Sequence, residues 1–175
     1  MFKKWRMDCE AALGKVGKIG VAVRAFTGGG VIFWGRLSEN SGLIGLFSKI
    51  IYKLLARRRG IEVHFSERIS GGLVFAHAYC ITVNSRATLG EKVMLFKGAT
   101  IGSVRSGARK GVPVLGNRVV VGVNATIVGG VHIGDDVHIA PNTFVNFDVP
   151  SHSLVVGNPG SIHPRYNATI DYFPL

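Results

Sequence analysis

Residues 115–150 form six consecutive hexapeptides, which read LGNRVV, VGVNAT, IVGGVH, IGDDVH, IAPNTF and VNFDVP. An aliphatic residue holds the first place of each, a small residue usually follows, and the fifth place is small or branched. The same period runs through residues 83–102. Six residues accommodate one short strand and one corner, and three such units close a triangular coil. Because the aliphatic first places then stack inward, we predict a left-handed parallel β-helix of hexapeptide repeats.

The period breaks once, between Ile101 and Leu115, which are 14 residues apart and so two residues beyond two full repeats. We therefore expect the chain to leave the coil as a loop, bounded by residues 103–114. A polar, glycine-containing loop on a rigid scaffold is a common place for function. A tolerated insertion with solvated charges is the alternative. The loop carries three cations: Arg105, Arg109 and Lys110.

The composition indicates a folded chain. Hydrophobic residues make up 47% of the 175 positions and charged residues 18%, which excludes a disordered basic tail. The 24 glycines show no Gly-X-Y period, so a collagen-like chain is excluded as well. Cys9 and Cys80 form neither a disulfide framework nor a zinc-ligand pattern. Together with the lack of a recognisable signal peptide, this predicts a cytoplasmic protein.

The charge of +11 is concentrated at one end of the chain. Residues 1–60 contain 12 Lys and Arg against 3 Asp and Glu, a net charge of +9, and the remaining residues have a net charge of +2. We therefore divide the chain into a basic helical N-terminal segment (1–60), the β-helix (61–165) and a C-terminal tail (166–175). No nucleic-acid-binding motif accompanies the charge, so we expect no nucleic-acid partner.

Within the basic segment, apolar residues between Leu43 and Leu55 recur at the spacing of one helix face. Lys49, Lys53 and Arg57 lie four residues apart on another face. The helix is too short and too charged to span a bilayer. Residues 42–60 could lie in a membrane interface as a peripheral contact. A helix packed on its own domain or on a neighbouring subunit is the alternative.

Three histidines are candidates for chemistry: the pair His132 and His138, and His77. His132 and His138 hold the sixth place of consecutive hexapeptides, so they lie on adjacent faces of the coil. We therefore expect no metal site within one chain, while a site between subunits stays open. His77 follows Glu62 by 15 residues, which is close to one coil. A carboxylate beside an imidazole fixes its tautomer and makes it a competent base. A structural Glu–His contact is the alternative.

Several stretches resemble the hexapeptide-repeat acyltransferases, in particular their serine O-acetyltransferase branch. The segment GIEVH (60–64) resembles the family strand that carries the dyad acid, although Glu62 stands where the family usually has Asp. The segment FAH (75–77) resembles the family's Asp-His-Gly, and KGATIG (97–102) resembles its Gln-Gly-Val-Thr-Leu-Gly strand. The ending VVGNPGSI (155–162) resembles the family's closing coil. The resemblance covers about 60% of the chain, from residue 60 to residue 165.

The resemblance implies a direct acetyl transfer from acetyl-CoA without a metal. Glu62 would orient His77, and His77 would take the proton of an acceptor hydroxyl. Backbone N–H groups near Gly102 and Ser103 would hold the developing oxyanion. The family is trimeric, with each active site between two subunits, so a homotrimer is expected. The remaining candidates are Lys110, Gly122, Ala125 and Arg165 for the cofactor, and Asn84, Arg105 and Arg109 for the acceptor.

The sequence also departs from the serine-acetylating pattern. Ala76 precedes the histidine where those enzymes carry Asp, and Gly111-Val112-Pro113 stands where they carry Arg-His-Pro. Losing such charged groups costs a zwitterionic acceptor binding energy, since each charge-assisted hydrogen bond contributes about 1.5–3 kcal/mol. The expectation is therefore an O-acetyltransferase of the short polysaccharide-locus type, acting on a saccharide hydroxyl. Serine O-acetylation in cysteine biosynthesis is the alternative, and a β-helix metal hydrase or a non-catalytic scaffold is a remoter one.

Overall fold

The computed structural model describes residues 2–15, 17, 20 and 30–174. The N-terminal segment and the tail are therefore described only in part. Among these residues, α-helices span Phe2–Leu13 (α1), Gly30–Leu37 (α2) and Gly42–Arg57 (α3), all before the first strand. Gly60, with a φ of +63°, ends the basic turn after α3 in the left-handed conformation that is common for glycine at the end of a helix.

Fourteen short strands follow and stack into three sheets, which are the faces of a left-handed parallel β-helix, as predicted. All pairings within the coils are parallel, and only the last strand pairs antiparallel. The first sheet contains β1 (Glu62–Val63), β3 (Thr82–Val83), β6 (Thr100–Gly102), β9 (Thr126–Val128) and β12 (Phe144–Val145). The second contains β4 (Thr88–Leu89), β7 (Val114–Leu115) and β10 (His132–Ile133). The third contains β2 (Val74–Ala76), β5 (Val93–Phe96), β8 (Val119–Val121), β11 (Val137–Ile139), β13 (Ser153–Val156) and β14 (Ser161–Pro164).

The aliphatic first places of the hexapeptides form the core. Leu95, Ile101, Ile127 and Ile139 are fully buried, and each lies beside its equivalent on the next coil. The small second places let the coils approach. A Cβ on Gly116, for example, would lie 2.9 Å from the carbonyl carbon of Gly134 on the next coil. The glycine excess therefore serves the stacking of coils as well as their corners.

The helices close the open end of the β-helix and extend its core. Trp5, Ile32 and Ala56 pack with the first coil in the same apolar cluster. A buried ion pair joins α1 and α2, with Nε of Arg36 2.9 Å from Oδ2 of Asp8. Such caps are needed because the terminal coil of a solenoid, here the first one, would otherwise expose its core. None of the helices in the described residues is long and apolar enough to cross a membrane.

The end of the chain folds back over the outside of the third sheet. Phe173 and Ala11 of α1 cover the outward side chains of Val74, Met94 and Val120. The turn at residues 168–169 is held by Asp136, whose carboxylate accepts hydrogen bonds from both backbone N–H groups and from the Thr169 hydroxyl. These bonds fasten the tail to the third face of the coil.

Candidate active site

His77 lies at a corner that is wider than the one above it. Phe75 pairs with Leu95 and Val83 pairs with Ile101, so eight residues span the first corner where six span the next. The two extra residues take the chain outward between the third and first sheets. His77 is exposed there and has a φ of +53°, in the left-handed region. The widened corner therefore presents the imidazole to solvent.

Glu62 occupies the first strand of the adjacent coil. It pairs with Thr82, and its backbone N–H donates to the Ile81 carbonyl oxygen at 2.8 Å. Its side chain points outward and is exposed. Within the described part of the chain, neither Glu62 nor His77 makes a side-chain hydrogen bond or ion pair. The two groups thus belong to neighbouring coils at one edge of the first sheet, and the dyad itself stays a prediction.

A row of aromatic rings leads from His77 along the third face. The His77 ring lies 6.5 Å from that of Phe96, which lies 6.1 Å from that of Tyr172. The Tyr172 hydroxyl is 3.2 Å from Nε2 of His138, and burial together with the charge of Arg165 lowers the pKa of that imidazole. The hexapeptide period places His138 on this face, but nothing in the sequence shows that Tyr172 would reach it.

A small cavity of 80 Å³ lies between Phe96, His138 and Tyr172 and is also lined by Gly122. A Cβ on Gly122 would lie 2.7 Å from the Pro141 nitrogen, so the glycine is required by the stacking of coils whatever else it contacts. Gly122 was predicted by resemblance, whereas the aromatic side chains that line the cavity beside it were not predicted.

The loop between β6 and β7 is an antiparallel hairpin, and it is longer than the hexapeptide count indicates. Ile101 and Leu115 lie on consecutive faces, where Ile127 and Ile133 are six residues apart, so the insertion is eight residues and not two. Val104 bridges Gly111, and the Arg109 carbonyl oxygen accepts a hydrogen bond from the Gly130 N–H at 2.9 Å. The predicted period was therefore wrong by one repeat at this point, because a single corner absorbs the whole insertion.

One predicted acceptor-binding residue is engaged in holding this loop. The Arg109 guanidinium lies 3.3 Å from Oδ2 of Asp148, while Oδ1 of Asp148 accepts the backbone N–H of His132. The His132 N–H has the largest effect and lowers the pKa of the Asp148 carboxyl, burial opposes it, and the hydrogen bond and charge of Arg109 lower the pKa further. Arg105 and Lys110 are exposed and make no ion pair among the described residues.

The other predicted residues are scattered around the coil. Gly102 ends β6 on the same sheet as Glu62, Ser103 follows it, and Asn84 follows β3 on that sheet. The Asn84 side-chain oxygen is used in a local turn, where it accepts the Arg86 N–H. Arg165 is exposed at the end of β14. Ala125 is completely buried among core residues, so a contact with the cofactor could involve only its backbone, and this contact stays a prediction.

No cluster of three or more His, Cys, Asp or Glu side chains that could hold a metal ion occurs among residues 2–15, 17, 20 and 30–174. His132 lies on the second sheet and His138 on the third, on adjacent faces as expected.

The comparisons with known proteins agree with this fold. The family described as "Bacterial transferase hexapeptide (six repeats)" matches residues 113–146. Serine acetyltransferase of Synechococcus elongatus is 33% identical over 112 residues, which cover 64% of this chain and 46% of that protein. Serine acetyltransferase of Helicobacter pylori (strain 26695) is 37% identical over 99 residues, which cover 57% and 58%. The chain thus spans about half the length of the curated relatives it matches.

Solved structures give the same family. Neisseria gonorrhoeae serine acetyltransferase, in complex with serine, superposes with a TM-score of 0.75 at 25% identity, over 93% of this chain and 68% of that one. The soybean serine acetyltransferase apoenzyme gives 0.73 at 24% identity, over 92% and 68%, which is a likeness of fold alone. These relatives contradict the predicted saccharide acceptor and the polysaccharide-locus type, and they favour the serine alternative instead. The repeats, the fold and the relatives together show that this chain is similar to the hexapeptide-repeat acyltransferases, with serine acetyltransferases among its homologues.

Proposed function

We propose that the protein is an acetyl-CoA-dependent acyltransferase that acetylates the hydroxyl of L-serine. The observation that carries the proposal is the widened corner, which holds an exposed histidine one coil away from an exposed glutamate in a chain related to serine acetyltransferases. The buried Cys9 and the exposed Cys80 are not joined in a disulfide, which fits a reducing compartment, so a cytoplasmic location is part of the proposal.

In the proposed reaction, His77 accepts the proton of the serine hydroxyl as its oxygen forms the new ester bond. Acetyl-CoA supplies the acetyl group as a thioester. Its carbon–sulfur bond breaks as the ester bond forms, and coenzyme A leaves as the thiol with the proton that His77 had accepted. Glu62 acts through His77, by holding the imidazole in one tautomer and stabilising its protonated form. Neither side chain makes a hydrogen bond or ion pair with another described residue, so no such bond holds the two groups apart. Catalytic hydrogen bonds are often long in the absence of substrate.

The proposed binding surface for acetyl-CoA begins beside this corner and extends along the coils. Backbone N–H groups near Gly102 and Ser103 would stabilise the negative charge that develops on the carbonyl oxygen. The exposed cations Lys110 and Arg165 would contact phosphates, and Gly122 would let the ligand approach the coil closely. The side chain of Ala125 has no part in this surface, because it faces the core.

The acceptor must be held differently from the way the family pattern suggests, because Ala76, Gly111 and Val112 replace its charged groups. Two cations of the loop, Arg105 and Lys110, have no acidic partner among the described residues. Since Lys110 is already a candidate for the cofactor, we assign the carboxylate of serine to Arg105. The amide nitrogen of Asn84 is a second candidate donor. Arg109 keeps the loop in place through Asp148.

The proposed active unit is a homotrimer. Sites of this kind lie between two subunits in the resembling family, and His77 is exposed in the single chain. The trimer is tested directly by the mass of the protein in solution.

The test of the function is the release of thiol from acetyl-CoA in the presence of L-serine. L-alanine is the matched control, because it keeps the ammonium and carboxylate groups and lacks only the hydroxyl. We expect saturable release with L-serine, background release with L-alanine, and O-acetylserine as the product. Equal rates with both amino acids would overturn the proposal, and so would undiminished turnover by the His77→Ala protein.

A further inference from the structure

The helix α3 packs one face against the protein and exposes the opposite face. Its buried positions are small residues: Gly45, Ser48 and Ala56. On a helix that turns about 100° per residue, the apolar positions that remain exposed lie on the far side. These side chains, which we call the apolar stripe, are between 53% and 85% exposed: Leu43, Ile44, Leu46, Phe47, Ile50 and Leu54. A contiguous patch of large apolar side chains marks an interaction surface.

The charge beside the stripe has one sign. Residues 40–61 contain five cations and no Asp or Glu. Lys49, Lys53 and Arg57 follow one another at four-residue intervals along one flank of the stripe, and Arg58 and Arg59 extend the charge past the end of the helix. None of the five makes an ion pair with any described residue. Their charge is therefore available to a partner.

The same flank opens into a cleft of 590 Å³ between α3 and the first coil. Lys49 and Lys53 form its outer wall, and Lys4 and His64 line the other side. Tyr52 and Phe65 pack edge to face at its base, with ring centroids 5.4 Å apart.

Two carboxylates also reach the cleft. Glu39 lies 3.5 Å from Lys4 and 3.2 Å from Arg36, so its charge is already compensated. Glu67 is exposed and opposes an anion. The three lysines of the lining (Lys4, Lys49 and Lys53) outnumber these two glutamates, so the cleft keeps a net positive charge.

We propose that α3 docks on an anionic lipid surface, with the apolar stripe among the acyl chains and lipid phosphates in the cleft beside it. A helix of this length extends about 24 Å and would lie parallel to the surface. Lysines on the flank can keep their ammonium groups at the phosphates while their stems follow the apolar boundary. The apolar and cationic groups thus meet one partner that carries both chemistries.

Charge favours this partner over a second copy of the same helix. Two α3 helices packed stripe to stripe would bring ten cations together without a carboxylate from residues 40–61 of either copy. An anionic bilayer supplies the opposite charge. Docking is independent of the proposed acetyl transfer, because no residue of the stripe or of the flank belongs to the proposed active site.

The experiment is flotation of the full chain with vesicles of phosphatidylcholine alone or with about 30 mol% phosphatidylglycerol. We expect binding to the anionic vesicles to be at least about tenfold stronger, and to weaken with added salt. The Lys49→Gln/Lys53→Gln protein should lose most of this preference. The Arg86→Gln/Lys97→Gln protein removes the same charge from exposed positions on the β-helix and should bind like the wild type. The Leu43→Gln/Phe47→Gln protein should bind weakly to both vesicles.

Three results would overturn the proposal. One is absence of binding to the anionic vesicles, and another is an equal loss for the two charge variants. The third is a change in oligomeric mass of the Leu43→Gln/Phe47→Gln protein, measured by analytical ultracentrifugation, which would make the stripe an interface between copies. Since all changed side chains are exposed, thermal unfolding should verify that each variant is folded.

Discussion

Glu62 pairs in parallel register with Thr82, twenty residues further along the chain, and not with a residue one regular coil away. The two additional residues lie in the corner that carries His77. The same irregularity that hides this coil from the hexapeptide period therefore brings the candidate base out of the solenoid, five residues before the strand that lies against Glu62.

The proposed roles of these two residues predict different losses of activity. His77→Ala should lower kcat for acetylation of L-serine by about 10²–10⁴, because general-base catalysis supplies an effect of that size. Glu62→Gln should lose less and should alter the dependence of kcat/KM on pH, since Glu62 acts through the imidazole. Glu62→Asp should recover part of the loss.

His64 provides the control for this measurement. It is exposed and lies two residues beyond Glu62 on the same side of the chain. We expect His64→Ala to retain the wild-type rate of thiol release. A loss as large as that of His77→Ala would contradict the assignment of the base.

The stacking of coils predicts a cost for a methyl group at Gly116. A Cβ there would lie 2.9 Å from the carbonyl carbon of Gly134 and 2.4 Å from Oδ1 of Asp135, which is held by the Asn117 N–H. Gly116→Ala should lower the free energy of unfolding by about 1–3 kcal/mol, as overpacking does. Gly17→Ala, where a Cβ meets no described residue within 4 Å, should change it by less than about 0.5 kcal/mol. Denaturant unfolding of both proteins checks the difference.

The tail is predicted to loosen in acid. Burial raises the pKa of the Asp136 carboxyl, but the hydrogen bonds from His152, Thr169 and Ala168 outweigh it and lower the pKa below its usual range. A lowered carboxyl pKa contributes stability that is complete above the unfolded value of about 3.9 and is lost as pH falls through the folded value. Exchange of the Ala168 and Thr169 amide hydrogens should therefore accelerate, relative to other amides, only in that acid range.

Two variants separate this effect from general acid unfolding. Asp136→Asn should already show weak protection of the two amides at neutral pH, because the charged acceptor is lost. Asp171→Asn changes an exposed carboxylate of the tail and should leave the protection unchanged. If Asp136→Asn kept full protection at neutral pH, the carboxylate would not be what fastens the tail.

The buried ion pair between the first two helices predicts a large cost for breaking it. The Arg36 side chain is fully buried, with Asp8 at 2.9 Å and the Ile69 carbonyl oxygen at 2.8 Å. Arg36→Met should lower the free energy of unfolding by about 3–5 kcal/mol, since Asp8 would remain buried without its partner. Arg6→Met, which breaks the exposed pair with Glu10, should cost no more than about 0.5 kcal/mol. A thermal or denaturant comparison that gave equal costs would contradict this.

The hexapeptide period predicted the fold because every face of the coil repeats one simple requirement, an inward aliphatic residue such as Ile127 or Ile139. The period also placed His132 and His138 on different faces. It could not give the path of the tail, since the contact between Tyr172 and His138 depends on a segment outside the repeats. Burial of Ala125 follows from its inward fifth place, which leaves only its backbone for the predicted contact with the cofactor.

The saccharide acceptor was inferred from side chains that are missing, at Ala76 and at Gly111-Val112. Missing groups show how a ligand is not held, but they do not show which ligand is absent. The two loop arginines look alike in the sequence. Only the structure shows that Arg109 pairs with Asp148, while Arg105 makes no ion pair with any described residue.

The unequal corners have a consequence for how such a protein can change over time. Paired residues are 20, 18, 26, 18 and 16 positions apart in successive coils, yet the strands stay in register. Length can therefore be added or removed at one corner without disturbing the layers above and below. New recognition chemistry can arise in such an insertion while the interior that keeps the molecule folded is inherited unaltered.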